Sequence, residues 1–128
     1  MLGDILLYIG AAIITVWGIA HIVPTKNVVN GFGAISQDNK RIITMEWIAA
    51  GLAQIFIGLL VFLVTVIAGS GAESSKVVYW ASAAVLVALA VLGAFTGART
   101  PILPMKLCPI IEGVVAVLLL LGIFVSGL

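Results

Sequence analysis

Three ionisable residues stand in or beside apolar stretches where charge is costly: His21, Glu46 and Glu112. A carboxyl group beyond the basic flank of an apolar helix needs a partner or a task. Glu46 is the sharpest case. It follows Lys40 and Arg41 and precedes a run from Trp47 to Ala68 that carries no charge. On a helix, Glu46 stands roughly 7–8 Å past Arg41. His21 falls one turn before Pro24, and Glu112 about a turn past Pro109. The three therefore share one depth on three helices. Trp17 precedes His21 by four residues and shares its face. Gln54 continues inward from Glu46, and Arg99 and Lys106 cap the same end.

Such a set can do several things. Glu46 can form an ion pair with His21, Lys40, Arg41 or Arg99. Glu112, in the first turn of its helix, can be held by the helix dipole and headgroup water. A polar floor of His21, Glu46 and Gln54 under an apolar vault suits a hydrophobic or amphipathic small molecule or a lipid. A proton or ion path, as in a small coupled transporter, is the thinnest reading, since only Gln54, Thr65 and Thr15 continue inward.

Other chemistries find less. One histidine and two carboxylates can ligate iron or manganese in principle, but no Glu-x-x-His pair of the di-metal bundles is present, and no metal is expected. Bis-histidine haem is excluded by a single histidine, and no other cofactor is expected. The lone Cys108 forms no internal disulfide and reads as a plain apolar residue. There is no phosphate-binding glycine loop and no Ser-His-Asp set, so the reading leans away from an enzyme.

The elements that must position these groups follow from composition. The chain has 128 residues, 63% hydrophobic and 9% charged, with net charge +1 and mean hydropathy +1.34. Soluble domains carry about 25% charge, and one this small cannot hide so much apolar surface. The small net charge argues against nucleic acid. Asp4 stands where a cleaved leader would be basic, so the first apolar stretch reads as a retained span. The sequence predicts an all-α integral membrane protein, with spans at about 5–23, 37–68, 77–98 and 109–128 in an antiparallel up-down bundle. Pro24 ends the first span. Ser36 caps the second, with Asp38 in its first turn. Pro109 opens the fourth at a position where its missing N–H costs nothing.

Helical spacing sorts faces. Ala11, Gly18 and His21 share one stripe of the first span. Trp47, Gly51, Gln54, Gly58 and Thr65 share one on the second, with Glu46, Ala50, Ala53 and Ile57 beside it as part of a wide non-lipid face. Gly93 and Gly97 form a GxxxG pair suited to close packing. The connection 24–39 contains Asn27, Asn30 and Gly31-Phe32-Gly33 and reads as irregular backbone folded back over the helix ends. GSGAESSK at 69–76 reads as a polar turn.

The first and third connections hold Lys26, Lys40, Arg41, Arg99 and Lys106, against Lys76 alone on the other side. The positive-inside rule places loops 24–41 and 99–108 in the cytoplasm of a prokaryotic inner membrane and both termini outside. Besides ligand binding, the small-residue faces and absence of a soluble domain suit an accessory subunit of a membrane complex, or a homo-oligomer.

Overall fold

The computed structural model describes residues 1–127, so the predicted end of the fourth span at residue 128 lies outside the described residues. The chain is all-helical: α1 (Leu2–Ile22), α2 (Thr25–Asn30), α3 (Gln37–Ala68), α4 (Glu73–Phe95) and α5 (Leu103–Ser126), with a 3₁₀ turn at Gly97–Arg99. Four of these, α1, α3, α4 with its 3₁₀ extension, and α5, are long and apolar enough to cross a membrane.

Helix α3 begins and ends where its chemistry dictates. Ser36 is extended, and its hydroxyl accepts from Asn39 N at 3.1 Å. Gly69 at the other end turns out of the helix at φ 80°, a region open to glycine. The turn to α4 is shorter than 69–76. Glu73 favours the helix N-terminus and pairs with Lys76 at 2.9 Å, so the helix starts at Glu73. Ser75 is thereby buried, with its hydroxyl 3.4 Å from Val64 O.

Two other boundaries differ from the sequence reading. Residues 25–30 of the first connection are helical, not irregular, and Val29 among them is buried. Helix α5 begins at Leu103, so Pro109 is inside it. Both Pro104 and Pro109 satisfy the helix-start rule, and the earlier one wins. The interior proline forfeits a backbone hydrogen bond, and its ring is accommodated by Gly93 of α4, where an added Cβ would touch it at 3.5 Å. Gly97 faces Met105 in the same way.

Helix α1 packs against both α3 and α5, and α5 against α4. Glycines set these distances. A Cβ on Gly18 would stand 2.7 Å from Gly51 O, and one on Gly58 would stand 2.7 Å from Ala11 O. Leu7, Ile14, Val61, Tyr79, Leu86, Val115 and Leu119 form the core. Tyr79 satisfies its hydroxyl there against Thr65 Oγ1 at 2.7 Å, as a buried phenol requires. Of the stripe beside Gly51 and Gln54, only Ile57 is buried. Glu46, Ala50 and Ala53 are exposed, because α1 packs on α3 from the glycine side.

Candidate functional site

The Gly18–Gly51 crossing brings Trp17 and His21 of α1 close to Trp47 and Gln54 of α3. Helix α5 adds Cys108 and Glu112, which lie one turn apart on one face. A hydrogen-bonded network results. Gln54 Nε2 donates to Glu112 Oε1 at 2.8 Å. Cys108 Sγ stands 3.4 Å from the same oxygen, 3.4 Å from Trp17 Nε1 and 3.5 Å from Gln54 Nε2. The thiol is thus a weak donor to the carboxyl group and a weak acceptor from the indole and amide. Gln54 is 2% exposed and Glu112 4%. Gln54 Oε1 remains buried without a partner.

Two turns outward along α3 from Gln54, the His21 and Trp47 rings stack at 4.1 Å with 13° between their planes. Trp47 Nε1 donates to the His21 carbonyl at 2.6 Å. His21 Nε2 is buried and unpartnered. Trp17, His21 and Trp47 together line a cavity of about 740 Å³. Val28 and Phe32, from α2 and the loop after it, form one wall. Gly97, Ile102, Leu103, Met105 and Leu107, from the elbow and the start of α5, form the other. Trp17 belongs to both structures: its ring lines the cavity and its N–H reaches the buried network.

The residues singled out from sequence therefore divide. Trp17 and His21 line the cavity, Gln54 and Glu112 meet beneath it, and Gly51 sets the spacing. Gly58 performs the same service one level deeper, and Gly93 and Gly97 receive α5. Glu46 is exposed, makes no ion pair among the described residues, and is not the partner of His21. The ring that covers His21 is the neighbouring Trp47. Arg99 is exposed too, with its guanidinium 5.5 Å over the Phe95 ring. Glu112 is not in a first turn, since α5 starts nine residues earlier at Leu103. Cys108 is the member that sequence reasoning missed, and Trp47 is the other residue whose role was understated. The Cys108–Glu112 spacing is a signal for the first, visible only if Pro109 is allowed inside the helix.

Among the described residues, no three His, Cys, Asp or Glu side chains converge as metal ligands. Comparison of the chain with protein-family models, curated proteins and solved structures finds no match in any of the three.

Proposed function

We propose that this chain is a four-span membrane protein, its long helices antiparallel, that binds a hydrophobic or amphipathic small molecule or a lipid in the cavity over Trp17, His21 and Trp47. The cavity itself carries the reading. Its volume of about 740 Å³ falls in the range of pockets that enclose such ligands, roughly 300–1,000 Å³. Its lining is mostly aromatic and aliphatic, with few polar side chains, His21 at the floor and Asn27 and Thr100 in the walls, which is the composition that rewards an apolar body and fixes its orientation through a few polar contacts.

Depth supports an amphipathic occupant. Helix α3 has 32 residues and is about 48 Å long, against a hydrocarbon core of about 30 Å. The uncharged part from Trp47 to Ala68 covers about 33 Å. Trp47 then marks the interface and Glu46 lies in the headgroup layer, where an exposed carboxylate costs little. The cavity floor is at interface level, and Gln54 and Glu112 lie about 10 Å deeper. The basic connections put this end on the cytoplasmic side.

The accessory-subunit reading draws on no comparable feature. A proton or ion path would have to cross from Gln54 to Thr65, about 16 Å along α3. Ile14, Ile57, Val61, Val115 and Leu119 fill the core over that interval.

Ala20 lines the cavity and is exposed, so Ala20→Trp fills the space without entering the core. Native mass spectrometry from mild detergent should find a bound small molecule on the wild-type chain and lose it in Ala20→Trp. Equal retention by both, or none by either, refutes the proposal.

A further inference from the structure

A second hollow runs along the outer side of α4 and α5, with no residue in common with the cavity. It is a groove of about 630 Å³. Small residues open it: Ala90 and Ala94 of α4, and Gly113 and Ala116 of α5. A Cβ added at Gly113 would meet nothing within 4 Å. This glycine serves no helix contact, unlike Gly93, and its missing side chain is groove volume. Val87, Val91, Ile110 and Val117 line the groove as well and are exposed.

Charge gathers at one end only. Lys106 lines the groove and is exposed. Arg99 stands over Phe95, which also lines it. Neither cation is paired among the described residues, whose ion pairs are Asp38–Arg41 and Glu73–Lys76. No acidic residue lines the groove. From Lys106 to Leu120, another lining residue, the helix rises roughly 21 Å. That equals half of a 40–45 Å bilayer, headgroup to midplane.

We infer that the α4–α5 groove is a binding site for an anionic phospholipid, with its phosphate held by Lys106 and Arg99 and one acyl chain laid over Gly113. Basic pockets between membrane helices hold anionic headgroups by this combination of free cations and adjacent apolar surface. The length of the trough fits one leaflet's chain. The inference shares only the bilayer setting with the function proposed above.

The test uses the full chain reconstituted into vesicles of equal parts phosphatidylcholine and phosphatidylglycerol, with flotation to report insertion. Native mass spectrometry after mild extraction then reads the retained lipid. The wild-type chain should retain phosphatidylglycerol over phosphatidylcholine. Lys106→Gln and Arg99→Gln should each lower that preference, by about five-fold per charge. Gly113→Leu, which fills open space, should lower retention of both lipids while the chain still floats. Ala20→Trp, which alters the other cavity, should leave the preference for phosphatidylglycerol in place. A wild-type chain without preference overturns the inference. So does retention unaffected by Gly113→Leu, which would mean that surface charge alone collects the headgroup. Loss of phosphatidylglycerol in Ala20→Trp, with Gly113→Leu intact, would move the lipid to the cavity and leave the cavity reading standing. Failure of the chain to float would refute the membrane setting of both.

Discussion

Replacing Gln54 and Glu112, singly and together, measures the network under the cavity. Gln54→Leu removes the 2.8 Å bond to Glu112 Oε1 and leaves that oxygen only the longer contact with Cys108. An interhelical hydrogen bond within a bilayer averages about 0.6 kcal/mol and reaches about 1.7. A buried group left unsatisfied costs about 1–3 kcal/mol. The same change also removes Gln54 Oε1, which is buried without a partner, so part of the loss is recovered. Gln54→Leu should therefore destabilise by about 1 kcal/mol. Glu112→Leu strands both ends of the Gln54 amide apart from the weak sulfur contact, and should cost about 2–3 kcal/mol. The double change removes both groups and should cost less than the sum of the singles by about 1–2 kcal/mol.

The assay is reversible unfolding in mixed detergent and SDS, followed by circular dichroism. Singles that add to the double within about 0.5 kcal/mol would show that the two side chains do not interact. A larger loss for Gln54→Leu than for Glu112→Leu would refute the account of the unpartnered amide oxygen. Glu46→Gln is the control. Exposed and unpaired, it should stay within about 0.5 kcal/mol of wild type, and its effect should add to that of His21→Leu.

Three further outcomes are expected. Gly51→Ala would push a methyl group to 2.9 Å from Gly18 O and into the Ile22 side chain, and should cost about 1–3 kcal/mol in the same unfolding assay; Gly93→Ala, with Pro109 at ordinary contact distance of 3.5 Å, should cost less, and the reverse order would contradict the packing. Trp47→Phe keeps a ring over His21 but loses the bond to its carbonyl, so stability should fall by about 1 kcal/mol with native mass spectrometry still finding any cavity ligand. Cysteine introduced at Asn30 or Ser70, in a Cys108→Ala background, should react with an impermeant reagent in whole cells at position 70 and not at 30; the opposite pattern would reverse the proposed orientation.

Much of this architecture is written in local chemistry. Ser36 and Gly69 bound α3 because a cap hydroxyl and a positive φ are local requirements, readable without knowing any neighbour. The stripe of Gly51, Gln54, Gly58 and Thr65 is legible for a similar reason: small and polar residues on one face of an apolar helix have few other uses. The start of α5 was not legible. Two prolines five residues apart are equally good openings, and what tolerates the second one inside the helix is Gly93, a residue on another helix. Two errors about the site follow from that ambiguity. With the helix beginning at Pro109, Cys108 falls outside it and Glu112 falls in its first turn.

Depth decides which acidic residue matters, and it reverses the order that sequence position suggests. Glu46 looks anomalous because it follows two basic residues and leads into an uncharged run. Counted back from Ala68, however, that run is already about 33 Å long by Trp47, enough to cross a hydrocarbon core. In the proposed bilayer setting Glu46 has no desolvation to compensate; it is exposed and makes no ion pair among the described residues. Glu112 looks ordinary beside a proline, yet it lies level with Gln54, about 10 Å deeper than Trp47 along α3. A carboxyl group there needs donors, and Gln54 and Cys108 supply them from two helices. The network thus ties α3 to α5, and through Trp17 to α1, directly beneath the cavity floor. The floor is held by three helices, while the walls come from a six-residue helix and an elbow. In the proposed function, adaptation to a ligand therefore belongs to the walls, and the floor supplies a fixed point of contact.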